Sequence, residues 1–307
     1  TLLVDAALLA CSFPAPLSLT LGAIAAATAP AATLMVVRQY HAKGEVTSTL
    51  LPVVAMDDAV GLMLFSISLP ISQALASNAT LTVTSMLLQP LLEIVLSLAV
   101  GAGIGLLIAL AMRFFHSKVN RISVAVAAVL LGSALASIWN LSSLLLCMAI
   151  GAVLVNLRND ADELLEITDA WTPPLFMLFF VLSGAELDLA VVPTVGLLGV
   201  VYMVARSFGK YFGSFLGATI AKSSPNIRKY LGLTLLPQAG VAIGMAQVAL
   251  NALPEYGTQI QAVVLTATLI YELIGPVITK LALTAAGEIQ DSKKSKAKTE
   301  QSAGGAK

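Results

Sequence analysis

The sequence predicts an all-α polytopic membrane protein with about ten transmembrane helices. Three observations carry that class. Of 307 residues, 58 % are hydrophobic and only 11 % charged, and the mean hydropathy is +0.90, a composition that excludes a water-soluble domain. The apolar residues gather into ten segments, at 1–13, 17–37, 47–75, 83–112, 122–138, 142–157, 171–186, 193–220, 231–250 and 258–286, and roughly 20 such residues cross a bilayer. The loops between them alternate between basic and non-basic.

Residues 1–13 open as TLLVDAALLA, without a starting methionine and with the texture of a helix interior. The chain is therefore expected to be N-terminally truncated, with helices before Thr1. Segment 17–37 holds Thr28-Ala29-Pro30-Ala31-Ala32-Thr33 at mid-depth. Pro30 removes a backbone donor and clashes with the preceding turn, so the segment either kinks or unwinds, and Thr28 and Thr33 are placed to satisfy freed backbone groups. Segment 47–75 carries Asp57 and Asp58 and no other charge. Segment 83–112 carries Glu93 near one end, as an outer-vestibule or interfacial residue. Segments 122–138 and 142–157 are joined by a short uncharged loop at Asn140, which makes them neighbours.

Arg158–Ala170 is amphipathic and acidic, and reads as an interfacial helix joining two bundles or as a solvated loop. Glu186 and Asp188 read as solvated charges at a helix end. In segment 193–220, Arg206 and Lys210 are four residues apart and share a helical face, either snorkelling to the surface or pairing in the interior. Segment 231–250 holds Pro237, Gln238 and Gly240, a combination that favours local unwinding. Segment 258–286 carries Glu272 near its middle. The division is thus a transmembrane domain over 1–286 and a Lys/Ser/Ala/Gly tail over 287–307 that is expected to be disordered.

The basic loops contain Arg38 and Lys43, then Arg113, Lys118 and Arg121, then Arg158, then Lys222, Arg228 and Lys229, and finally the lysine-bearing tail. The connection at Ser77–Ser85 is uncharged, and Glu255 stands alone in another. The positive-inside rule then places the C-terminus in the cytoplasm of a multi-pass protein of the plasma membrane. Cys11 and Cys147 lie in apolar stretches and read as small buried side chains.

Asp57 and Asp58 dominate the chemistry. One Asp at the centre of a membrane helix costs roughly 2.5–3.5 kcal/mol. Two in a row must face a watery cavity, a counter-charge or an ion. They form either a structural salt bridge or a site that binds a cation and a proton in turn. Two interrupted segments of opposite orientation, each with a helix before and after, mark an inverted-repeat transporter. The units are about 1–75 and 193–286, with 83–186 between them. Where the two breaks cross, half-helix ends carry partial charges of roughly half an elementary charge. Midplane carboxylates and a cation can compensate them.

TAPAATLMVVRQY followed by VVAMDDAVGL, with FFVLSGAELD, GKYFG, LLPQAGVAIGMA and YELIGP further on, resembles the bacterial sodium/proton antiporters of the cation:proton antiporter superfamily, in the branch with an adjacent Asp-Asp pair. The resemblance runs almost to Ala286. It implies two inverted repeats with two crossed discontinuous helices, and a core that moves against a dimerisation panel. It implies that Asp58 is the obligatory ion-binding carboxylate and that Asp57 pairs with a lysine matched by Lys210, with Arg206 the alternative. It also implies that Glu272 is a core acid partnering a basic residue and that Thr28 offers oxygens to the ion. One departure is Ala29, where many relatives carry an aspartate.

The expectation is a secondary active monovalent cation/proton antiporter, sodium before potassium, working by alternating access and dimeric at full length. Its partners are the cation, the proton and the bilayer. No enzymatic activity, nucleic-acid partner, organic cofactor or ATP motif is expected. Alternatives from other classes are a cation channel or non-transporting sensor, and an intramembrane aspartyl protease. The protease needs aspartates on separate helices, whereas adjacent residues on one helix point about 100° apart.

Overall fold

A computed structural model describes residues 1–77, 88–115, 117–139, 141–185 and 196–289. Most of the uncharged Ser77–Ser85 connection, Asn140, Glu186, Asp188 and the tail from 290 lie outside the described residues.

The described residues form twelve helices and no strand: α1 (Leu2–Ala10), α2 (Ala15–Ile24), α3 (Pro30–Gln39), α4 (Glu45–Ala76), α5 (Gln89–Ala111), α6 (Lys118–Trp139), α7 (Ser143–Leu157), α8 (Ala161–Ala185), α9 (Gly196–Ile220), α10 (Pro225–Thr234), α11 (Gly240–Ala252) and α12 (Gly257–Ala285). They correspond to the ten apolar segments, because two segments are each broken in two. The first break falls between α2 and α3, the second between α10 and α11. α4, α6, α12 and the Leu91–Ala111 part of α5 are long and apolar enough to cross a membrane.

The breaks follow from local chemistry. Pro30 occupies the first turn of α3, where its missing N–H costs nothing. Pro237 lies in the non-helical stretch between Thr234 and Gly240, so neither proline leaves a gap in a helical ladder. Ordinary caps start other helices: Ser142 Oγ accepts from the Leu145 N–H at the start of α7, and Ser224 Oγ from the Ile227 N–H at the start of α10.

Arg158–Ala170 is neither a separate interfacial helix nor a loop. From Ala161 it is the first part of α8, which continues through Pro173 and Pro174. Its acidic residues hold a buried cation: Arg121, 6 % exposed, pairs with Asp160 at 2.9 Å and with Glu163 at 2.5 Å. Arg158 also binds Asp160, and that hydrogen bond holds the Asp160 carboxyl below its ordinary pKa.

The chain divides into two compact units, Thr1–Gly61 with Leu189–Lys307, and Leu62–Asp188. In the second, α5 and α7 approach closely over Gly101 and Gly105. A Cβ at these positions would lie 2.3 Å from the Leu146 carbonyl oxygen and 2.9 Å from that of Ile150, the small-residue packing of membrane helices. Ile104, Ile108, Met112, Leu146, Ile150 and Leu154 fill its core.

In the first unit, α9 packs on α1, α10 and α12, and α12 packs on α2, α3, α10 and α11. Gly232 of α10 lies on the α9 backbone, where a Cβ would meet Tyr211 Cα at 2.7 Å. One end of the unit is closed by a cluster that includes Val36, Val46, Leu50, Leu231, Leu235, Leu283 and Ile289. Ile289 and Glu288, 9 % and 8 % exposed, belong to the stretch expected to be a disordered tail. That stretch is placed as far as Ile289.

Candidate ion-binding site

The site lies within the first unit, where the two breaks meet. Non-helical backbone at membrane depth must have its polar groups satisfied by protein or water, and here side chains of α9 supply most of the donors. The Ala29 N–H donates to the Pro237 carbonyl at 2.9 Å, tying one break to the other. Thr33 Oγ1 reaches the Thr234 carbonyl at 3.2 Å. Gln238 Nε2 reaches the Ile24 carbonyl at 3.4 Å and the Tyr202 hydroxyl at 2.9 Å.

Arg206 makes the central junction. It is 1 % exposed and donates to four carbonyls: Nε to Ala25 at 3.2 Å, Nη2 to Ala27 at 2.8 Å and Pro237 at 3.4 Å, and Nη1 to Leu236 at 2.7 Å. Its guanidinium lies over the Tyr271 ring, 4.5 Å from the centroid. The rigid fork of donors suits this task. Both α2 and α10 end here, so the partial negative charges of two helix C-termini converge on one cation.

Lys210 lies one turn further along α9. Its ammonium donates to the Ala26 carbonyl, to Thr28 Oγ1 at 2.7 Å and to Asp57 Oδ2 at 2.5 Å. Thr28 is 1 % exposed and its hydroxyl hydrogen-bonds the same Asp57 oxygen. Lys210, Thr28 and Asp57 thus form one closed cluster. Asp58, the next residue of α4, lies about 100° further round the helix and interacts with the Thr28 backbone N–H. Its Oδ1 is buried and has no hydrogen-bond partner among the described residues.

The sequence-derived candidates therefore separate. Asp57, Thr28 and Lys210 touch one another. Arg206, weighed as an alternative partner for Asp57, is committed to backbone carbonyls instead. Glu272 makes no ion pair among the described residues, and its buried Oε1 has no hydrogen-bond partner among them. The physical reason is that Tyr271, the residue before it, is the one that meets Arg206. Pro30, Pro237, Gln238 and Gly240 all lie at the breaks. Glu93 is half-buried in the other unit.

Sequence reasoning missed Tyr202. Its hydroxyl holds Gln238, and the spacing of four through Tyr202, Arg206 and Lys210 was the available signal. It also passed over Asp5 of α1, 8 % exposed, whose Oδ1 would lie 1.6 Å from a Cβ at Gly22. No group of three or more His, Cys, Asp or Glu side chains gathers among the described residues. The oxygens at hand for a small cation are two carboxylates, the Thr28 hydroxyl and carbonyls of the first break. Oxygen donors of this kind suit hard cations.

The comparisons with known proteins bear on what this arrangement does. A comparison with curated proteins gives no match. Among solved structures, the sodium proton antiporter MjNhaP1 from Methanocaldococcus jannaschii, determined at pH 8, is similar in fold, with a TM-score of 0.66 at 21 % identity, over 92 % of this chain and 75 % of that one. The family described as sodium/hydrogen exchanger, transmembrane, matches residues 2–285. That span takes in both breaks, the aspartate pair and the α9 cations, so the chain belongs to the transmembrane sodium/hydrogen exchangers and trades sodium for protons.

Proposed function

We propose that Asp57 and Asp58 are the exchanging groups, taking either sodium or protons but not both. The observation that carries this reading is the inequality of the two carboxylates. Asp57 is already held by Lys210 and Thr28, while Asp58 presents a buried oxygen with no partner among the described residues. A buried carboxylate oxygen without a partner is costly unless it meets a proton or a cation. Sodium entering here competes with protons for Asp58, and with both protons and the Lys210 ammonium for Asp57. That competition couples the two fluxes, and alternating access then exposes the site to each side in turn.

The helix–broken helix–helix order recurs in α1–α4 and α9–α12. It supports two inverted units over about 1–75 and 193–286, with 83–186 intervening. The alternation of basic loops supports a cytoplasmic C-terminus in the plasma membrane. A homodimer at full length accords with the resemblance described above.

The Asp57–Lys210 pairing is tested by a thermal double-mutant cycle. Asp57→Asn and Lys210→Ala should each destabilise, and the double mutant should lose less than the sum by about 1–3 kcal/mol. Additivity within about 0.5 kcal/mol would show that the two act separately.

A further inference from the structure

The helix that carries both aspartates has an unusual start. The Ser48 N–H bonds the Gly44 carbonyl at 3.0 Å, which makes Gly44 the N-cap of α4. Glycine has no side-chain oxygen, so the N–H groups of Val46 and Thr47, which an N-cap side chain would ordinarily satisfy, have no local acceptor. Both residues are buried, Val46 at 0 % and Thr47 at 6 % exposure, so water is a poor substitute.

The acceptor comes from the far end of the chain. Glu288 Oε1 accepts from the Val46 N–H at 2.6 Å, and Oε2 accepts from the Thr47 N–H at 2.8 Å and from Thr47 Oγ1 at 2.7 Å. A carboxylate is the favoured charge at a helix N-terminus. The backbone is tied as well: the Glu288 N–H donates to the Leu283 carbonyl at 2.9 Å, and the Lys43 N–H donates to the Glu288 carbonyl at 3.1 Å. Gly287, at φ +78°, turns the chain out of α12 toward α4, and Ile289 enters the apolar cluster shared by α3, α4, α10 and α12. Gly44 is fitted to this contact, since a Cβ there would lie 2.4 Å from Glu288 Cδ.

We propose that Glu288 is a positioning residue for exchange: it fixes the start of α4 to the end of α12, and through α4 sets where Asp57 and Asp58 stand relative to Thr28 and Lys210. This rests on the assignment of those aspartates as the exchanging groups. A simple helix cap would act on stability alone. A tie between the two helices acts also on the affinity of the site.

The experiment measures sodium-dependent proton exchange in proteoliposomes, normalised to folded protein, for Glu288→Ala, Gly44→Ala, the double mutant, and Glu288→Ala combined with Gly44→Ser. The last variant restores a local cap without the tie. Glu288→Ala and Gly44→Ala should each raise the apparent sodium KM by roughly threefold or more, with the double mutant no worse than either. The added serine hydroxyl of Gly44→Ser should recover melting temperature but not KM. A parental KM in Glu288→Ala, or its full recovery by the local cap, overturns the proposal. If Glu288→Ala does not fold, Gly44→Ala, which keeps Glu288 but displaces its carboxylate, answers the same question. Asp58→Asn run alongside separates the two readings: exchange surviving in that variant rejects the site assignment, whereas parental KM in the Glu288 variants with Asp58→Asn inactive rejects the tie alone.

Discussion

Asp58→Asn is expected to reduce sodium-dependent proton exchange to the background of empty liposomes while the protein remains folded. Asparagine keeps the shape of the side chain but can neither hold a proton nor carry the charge that attracts sodium. The fold should tolerate it, because Asp58 Oδ1 has no hydrogen bond to lose among the described residues. Asp57→Asn disturbs an ion pair and a hydroxyl contact, so its phenotype mixes stability with transport. The comparison is made by exchange assays beside melting curves of the same preparations. Exchange at parental rates in Asp58→Asn would show that another group carries the ions.

The second large effect is expected at Arg206, and on stability. Removing it leaves the carbonyls of Ala25, Ala27 and Leu236 without the donor that now serves them, and removes the second donor to that of Pro237. Each orphaned buried polar group costs about 1–3 kcal/mol, and truncating one side of a buried charged network typically costs about 3–5 kcal/mol. Arg206→Ala should therefore lower the melting temperature by about 10 °C, at roughly 2–4 °C per kcal/mol. Arg206→Lys should recover only part of this. A single ammonium keeps the charge between the two helix C-termini, but its donors cannot span both breaks as a planar fork does. Melting in detergent, followed by the folded fraction in size-exclusion chromatography, measures both variants. Arg206→Ala melting within about 2 °C of the parent, under 1 kcal/mol on the same scale, would mean that the crossing is held by other contacts.

These two residues also show how far the sequence could be read. Helix breaks leave a side-chain signature, Pro30 in one segment and Pro237 with Gly240 in the other, so the division of ten segments into twelve helices was anticipated at the right places. Asp57, Asp58 and Lys210 stand out because charge is expensive at membrane depth. The acceptors of Arg206 are backbone carbonyls, which every residue possesses, so nothing in the sequence distinguishes those of Ala25 or Leu236. Arg206 was read as the alternative to Lys210 because the resemblance admits a basic residue about one turn earlier. The true distinction is one turn of depth along α9: Arg206 reaches both breaks, while Lys210 reaches only the first break and α4.

Two other differences have similar origins. The apolar run suggested a segment starting at residue 171, just ahead of Pro173 and Pro174, yet α8 already runs from Ala161. The acidic turn ahead of them is held by Arg121, a residue about forty positions away whose partnership no local pattern reveals. The tail was judged by composition over twenty residues. Glu288 and Ile289 anchor it with only two side chains, too few to alter an average.

The central claim is that sodium and protons compete for the same carboxylates. The direct test is the apparent sodium KM of exchange, measured in proteoliposomes over a series of pH values with the imposed gradients held fixed. Competition predicts that the KM climbs as the pH falls, approaching about tenfold per pH unit for each competing proton, while saturating sodium restores the maximal rate. A sodium KM that stays constant while only the maximal rate varies with pH would contradict it, and would place proton binding and sodium binding on different groups.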